Sequence, residues 1–305
     1  MKKYRLPAVI LAVMVLAAGC GQNRTGNGAE EEDPVRTAES SDETGGVAAV
    51  NEETVTNAVL PEELSEIPQD YFSESEYQGT LVELEYDTYE SMTYEEHSQV
   101  LHKRAIVYLP YGYSEEEPYN VFYLMHGGWS NETTYLGTPE QPNEFKNVLD
   151  NGIADGKIRP MIVVCPTYNN TSTEDSADYS LALRLTENYH NELLGDLIPA
   201  VEGTYSTYAE DTTAEGIRAS RDHRAFCGFS MGSVATWRTF QYCLDDFRYF
   251  LPSSGSLTAD VEDGTFRYAN NEKEGNLYFL EQEGGTHNGD YAMEYFYNGL
   301  CWIWQ

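Results

Sequence analysis

The run Cys227-Gly228-Phe229-Ser230-Met231-Gly232 sets one serine between two glycines in a G-x-S-x-G order. His223-Arg224-Ala225-Phe226-Cys227 before it reads as a short buried strand, and residues 234–240 after it read as a helix. A strand that turns sharply into a helix at a serine lifts the hydroxyl clear of the sheet edge, where an attacking oxygen has to be. Upstream, the apolar strand Tyr119-Asn120-Val121-Phe122-Tyr123-Leu124-Met125 runs into His126-Gly127-Gly128-Trp129. Such a glycine-rich turn can present a backbone N–H to the oxyanion of a tetrahedral intermediate, alongside the N–H that follows the nucleophile. The candidate donors are therefore Met231 and the Gly128-Trp129 region. His126 is expected to pack and hold this loop, and it is second in line as a base.

Where an elbow of this kind carries a triad, the chain order is Ser, then Asp or Glu, then His, so the base should come last. Asn276-Leu277-Tyr278-Phe279-Leu280-Glu281 reads as a strand, followed by Gly284-Gly285-Thr286-His287 and a helix over residues 291–300. A histidine on a glycine-rich loop between the last strand and the last helix can reach the elbow, which makes His287 the candidate base. His97, His102 and His190 sit among polar neighbours and read as surface residues, and His223 is expected to anchor the turn into the elbow strand. None has a partner at metal-ligand spacing, and no metal or cofactor is expected.

The remaining elements fit a sheet that would position these groups. Alternation in Thr80-Leu81-Val82-Glu83-Leu84-Glu85-Tyr86 and in Arg104-Ala105-Ile106-Val107-Tyr108 predicts early, partly antiparallel strands, and the unbroken apolar run Met161-Ile162-Val163-Val164-Cys165 predicts a parallel strand buried on both faces. Crossover helices are expected over residues 144–153 and 189–201. Strands alternating with helices point to an α/β fold with a mostly parallel sheet.

Four stretches together resemble the esterase D and feruloyl-esterase-like branch of the α/β-hydrolases, the group that includes carbohydrate esterase family 1. They are Arg104-Ala105-Ile106-Val107-Tyr108-Leu109-Pro110, Tyr123 through Gly128, Asp222 through Gly232, and Glu283-Gly284-Gly285-Thr286-His287. They follow the family's order from about Gly79 to the C-terminus. The resemblance implies an α/β-hydrolase fold with a mostly parallel central sheet flanked by helices and a serine esterase mechanism. It also implies a further strand, a crossover helix and the triad acid between the elbow helix and the histidine loop. Here the strand Arg248-Tyr249-Phe250-Leu251-Pro252 is followed by Ser253-Ser254-Gly255-Ser256, a polar stretch to Gly275 and at once the final strand, so the sheet is expected to be shortened near the C-terminus. Asp263, with Asp260 and Glu262 as alternatives, is what remains for the acid. Three readings stay open: the loop brings one of these carboxylates to His287, the enzyme works as a dyad, or an internal segment has been lost.

The first residues bear on compartment. Lys2, Lys3 and Arg5 precede an apolar run over residues 8–16, and Leu16-Ala17-Ala18-Gly19-Cys20 resembles a bacterial lipobox. This predicts a signal peptide over residues 1–19, lipidation of Cys20 and a protein tethered outside the cytoplasm. Residues 20–61 are acidic and poor in large apolar side chains, which predicts a flexible tether. Residues 62–305, about 240, suffice for one α/β domain with a sizeable core.

The formal net charge of −33 argues against nucleic acid and against electrostatic binding to anionic membranes, so the lipid is the expected membrane link. Tyrosine is abundant, and in Tyr168-Asn169-Asn170 it stands beside amides in a manner suited to sugars or phenolic acyl groups. Cys165 and Cys227 fall in core strands and are expected as buried thiols; Cys243 and Cys301 are unassigned. The expectation is a secreted serine esterase releasing acyl or feruloyl groups from plant-type polysaccharide such as xylan. An acyltransferase of the same fold and a catalytically weakened glycan-binding lipoprotein are the alternatives.

Overall fold

The computed structural model describes residues 63–255 and 277–305, together with the backbone of residues 9–13. Eight strands form one sheet: β1 (Val9–Val13), β2 (Thr80–Tyr89), β3 (Val100–Leu109), β4 (Asn120–Met125), β5 (Met161–Cys165), β6 (Arg224–Phe229), β7 (Tyr249–Ser253) and β8 (Leu277–Leu280). Their order is β2-β3-β5-β4-β6-β7-β1-β8. The first two ladders, β2 with β3 and β3 with β5, are antiparallel, and the others are parallel.

The period of two along each strand divides the core into two layers. In β4, Val121, Tyr123 and Met125 turn to one face, where they pack with α3 (Tyr179–Glu192) and α6 (Met231–Tyr242). Phe122 and Leu124 turn to the other and pack with α1 (Glu144–Ala154) and α7 (Gly289–Trp302). Every residue of β5 is buried, as its unbroken apolar run requires of a strand covered on both faces. The short helices α2 (Thr173–Ala177), α4 (Ile198–Glu202) and α5 (Ala214–Ala219) complete the crossovers.

The second crossover differs from the expected helix over residues 189–201. It starts ten residues earlier, at Tyr179, because the Asp178 carboxylate caps it by accepting from the Leu181 N–H at 3.0 Å. Ala182, Leu185 and Tyr189 then form its buried stripe. A π turn at Leu193–Leu197 interrupts it before α4, where Pro199 lacks an N–H and its ring crowds the preceding turn.

At the far end of the sheet an N-terminal strand stands between two C-terminal ones. β7 and β8 are consecutive in the chain but do not pair with each other; β1 lies between them, parallel to both, with Ile10 opposite Phe250 on one side and Leu277 on the other. The family resemblance implies a further strand between β7 and β8, in a stretch that lies outside the described residues. Residues 9–13 lie inside the run expected to form the apolar part of a signal peptide, and a short apolar run serves a buried parallel strand equally well. Cys20, the expected tether over residues 20–61 and the carboxylates Asp260, Glu262 and Asp263 lie outside the described residues.

Candidate active site

The strand-to-helix turn at Ser230 closes without bulk. A Cβ on Gly228 would stand 2.4 Å from the Gly232 carbonyl oxygen, and one on Gly232 would stand 2.3 Å from that of Met125. With neither present, α6 begins immediately above β6 and against the end of β4. Ser230 itself takes φ 58° and ψ −118°, a conformation that costs a non-glycine residue about 1–3 kcal/mol and persists because its surroundings fix it. One fixing contact is the Ser230 N–H donating to the Ser253 carbonyl at the end of β7, at 3.0 Å.

The loop after β4 runs beside the nucleophile, where a Cβ on Gly127 would meet Ser230 Cβ at 3.3 Å. Two donors pin the Gly127 carbonyl: His126 Nδ1 at 2.7 Å and the Tyr168 hydroxyl at 3.0 Å. A trans peptide points its N–H opposite to its C=O. The Gly128 amide is thereby turned away from the His126 and Tyr168 side, and it has no acceptor among the described residues. The Trp129 amide is already engaged, donating to the Ser176 carbonyl at 3.2 Å. Of the two expected upstream donors, Gly128 is therefore the one left for an oxyanion. Met231, the first residue of α6, has an N–H without an intrahelical acceptor and is the second candidate donor.

His126 holds this loop, as expected. A carbonyl only accepts, so Nδ1 carries the proton and Nε2 accepts from the Thr167 hydroxyl at 2.7 Å. Burial lowers its pKa to about 4, so the imidazole stays neutral at ordinary pH. Behind it, Lys103 donates to the Thr167 carbonyl at 2.7 Å and pairs with Glu192 at 2.7 Å, all three being buried. A continuous polar chain thus supports the Gly127 peptide from the interior.

His287 lies on the loop before α7 with its Nε2 2.9 Å from Ser230 Oγ, the contact required of a general base. Its ring stacks on Phe229 with centroids 4.4 Å apart, and desolvation draws its pKa below the ordinary imidazole value. The other ring nitrogen, Nδ1, lies 2.8 Å from the Ser254 hydroxyl. Ser254, one residue beyond β7, was not among the expected site residues; its signal in the sequence was the polar run at the C-terminal end of a parallel strand, where sites of such sheets gather. Ser176 and Tyr179 were also missed. With Gly128, Trp129, Met231, Val234, Ser254 and Gly255 they line a cleft of about 270 Å³ that opens on Ser230. Trp129 and Tyr179 stand exposed at this cleft, at 74% and 55%.

The other histidines lie away from Ser230. His102 contacts Asp87 on the surface, His97 stacks on Tyr89, and His190 is half-buried against Tyr242. His223 bonds to the Asn120 side chain at 2.7 Å, tying the start of β6 to β4. Cys165, Cys227 and Cys243 are buried free thiols whose pKa burial raises, and Cys301 is partly buried and free.

Comparison with known proteins places this geometry. A family described as putative esterase matches residues 102–258. Endo-1,4-beta-xylanase Y of Acetivibrio thermocellus is 34% identical over 245 residues, covering 65% of this chain and 21% of that protein. An endo-1,4-beta-xylanase/feruloyl esterase of Xylanibacter ruminicola is 36% identical over 137 residues, covering 43% of this chain and 16% of its own length. The chain thus spans about a fifth or less of these curated relatives. Among solved structures, a serine-to-alanine variant of the feruloyl esterase module from Clostridium thermocellum, complexed with sinapinate, has a TM-score of 0.65 at 30% identity, covering 80% of this chain and 94% of that one. A ferulic acid esterase from Anaeromyces mucronatus shares the fold, with a TM-score of 0.54 at 21% identity over 79% of this chain and 97% of its own. An elbow serine within reach of a histidine, on a fold held in common with these modules, is what the family match leads one to find: the chain belongs to the esterase family, carboxylic ester hydrolases of the α/β-hydrolase fold resembling feruloyl esterases.

Proposed function

We propose that this chain hydrolyses esters of aromatic acids on xylan-type polysaccharide through an acyl-enzyme on Ser230. The carrying observation is the 2.9 Å contact between Ser230 Oγ and His287 Nε2 at the mouth of an open cleft. His287 accepts the Ser230 proton as Oγ bonds to the ester carbonyl carbon, and the carbonyl oxygen takes the negative charge against the Gly128 and Met231 amides. The intermediate collapses by expelling the alcohol, which takes the proton from Nε2. Water, deprotonated by the same nitrogen, then attacks the acyl-enzyme, and the acid leaves as Ser230 recovers its proton.

The exposed faces of Trp129 and Tyr179 suit a phenolic acyl group, and an open cleft accommodates a polymeric alcohol. The curated relatives named for xylanase and feruloyl esterase support the same choice. Delivery to the cell surface through lipidated Cys20 belongs to this reading and rests on the lipobox-like residues 16–20; it entails release of residues 1–19, so the lipidated protein would lack β1.

The test is release of ferulate from feruloylated arabinoxylan oligosaccharide by the purified protein beside Ser230→Ala and His287→Ala. Release by the unaltered protein and a loss of orders of magnitude in both variants is expected. Turnover of small acetyl esters without any feruloyl release would confine the reading to a general esterase.

A further inference from the structure

We infer that Ser254 stands in the place of the triad acid: its hydroxyl accepts the Nδ1–H of His287 and holds the imidazole with Nε2 toward Ser230. This rests on the reading of Ser230 as nucleophile and His287 as base. A base must accept from Ser230 Oγ through Nε2, so in the neutral ring Nδ1 carries the proton and needs an acceptor. Among the described residues that acceptor is Ser254 Oγ at 2.8 Å.

The hydroxyl is placed, not adventitious. Ser254 is 9% exposed and sits at φ +53°, and both flanking residues are tied to the elbow and its helix. Before it, the Ser253 carbonyl accepts from the Ser230 N–H at 3.0 Å. After it, the Gly255 carbonyl accepts from Ser233 Oγ at 2.9 Å and from Trp237 Nε1 at 3.3 Å. Gly255 also packs so closely on the elbow that a Cβ there would lie 2.4 Å from the Ser230 carbonyl oxygen. Nucleophile and positioning residue are thus parts of one hydrogen-bonded unit joining β7 to α6, and the distance between them does not depend on a long loop.

A hydroxyl does half of what a carboxylate does. As an acceptor it selects the correct tautomer and orientation, the function whose loss costs about 10⁴-fold in rate when an acid is replaced by its amide. Carrying no charge, it gives little stabilisation to the imidazolium that forms in the transition state. Among the described residues the ring's contacts, Phe229, Ser230 and Ser254, are all neutral, and desolvation draws its pKa down. The acidic limb of kcat/KM should therefore lie below the ordinary imidazole value of about 6.5.

The experiment measures pH profiles of kcat and KM on methyl ferulate for the full chain and for Ser254→Ala, Ser254→Gly and Ser254→Asp, with Ser230→Ala as control. Glycine accepts a positive φ without strain, so Ser254→Gly deletes the hydroxyl even where Ser254→Ala misfolds. Both deletions should lower kcat by roughly 10- to 100-fold with KM nearly unchanged, within the range spanned by losing one orienting hydrogen bond and losing the tautomer altogether. Ser254→Asp, tolerated at positive φ better than most residues, should keep or exceed wild-type kcat and raise the acidic limb by about one pH unit, because a carboxylate beside an imidazole favours its charged form. Unchanged kcat in both deletions, or an unmoved limb in Ser254→Asp, overturns the inference. So does a loss of kcat in Asp260→Asn, Glu262→Gln or Asp263→Asn that exceeds the loss at Ser254, since the acid would then lie in that loop. Full turnover in Ser230→Ala would instead defeat the underlying reading of the nucleophile.

Discussion

Replacing Gly232 with alanine tests whether the elbow needs both of its glycines. The added Cβ would lie 2.3 Å from the Met125 carbonyl oxygen, 2.7 Å from that of His126 and 3.0 Å from the Met125 carbonyl carbon. Relieving the first contact to an ordinary van der Waals distance needs a displacement on the order of 1 Å, and all three atoms are backbone, so no side chain can swing aside. Overpacking of this kind costs about 1–3 kcal/mol, and rigid neighbours put Gly232→Ala near the upper end. The atoms pushed belong to the end of β4 that leads into Gly127 and Gly128, so the Gly128 amide moves relative to Ser230. A misplacement of about 1 Å can cost on the order of 100-fold in rate. Urea denaturation and kcat/KM on an aryl ester, measured together, should show both losses. Gly289→Ala is the control, because nothing lies within 4 Å of a Cβ there and alanine favours the first turn of α7. A Gly232→Ala protein with wild-type midpoint and turnover would refute the packing argument.

Glu202→Gln should destabilise the domain by about 3–5 kcal/mol in equilibrium denaturation, because it strands the buried Arg224 guanidinium that now pairs with Glu202 through two bonds at 2.5 and 2.7 Å; an unchanged midpoint would show that the bonds from Arg224 to the Ile217 and Asp246 carbonyls suffice alone. Cys20→Ser should release the protein from the membrane fraction, and retention through a salt wash would remove lipidation as the anchor. A chain beginning at residue 20 lacks β1, so hydrogen exchange at the backbone of β7 and β8 should quicken relative to the full chain; equal protection would show that Val9–Val13 is not needed to complete the sheet.

The elbow at Ser230 and the loop beside it are legible because their signals are local. Gly228 and Gly232 flank Ser230 within five residues, and His126-Gly127-Gly128 ends an apolar strand, so composition and spacing carry the geometry. His287 was legible from chain order. Ser254 was not, since a serine in a polar run acquires meaning only when the fold brings His287 to it across 33 residues. Trp129 could not be told from Gly128 as a donor because the distinction lies in its bond to the Ser176 carbonyl, made by a helix 47 residues on. The start of α3 was missed for the opposite reason: Asp178 is a capping residue by type, but the acidic stretch around it masks that signal. The run over residues 9–13 shows a limit of periodicity, because an apolar segment reads alike whether it is to be removed or laid into a parallel sheet.

The most direct test of the account is rapid mixing of the purified protein with p-nitrophenyl acetate, followed by acid quench and mass mapping of the modified peptide. The account predicts a burst of one nitrophenolate per active site, an acetyl group on Ser230, and neither burst nor turnover in Ser230→Ala. Turnover surviving in Ser230→Ala, or an acetyl group mapping to another residue, would contradict it.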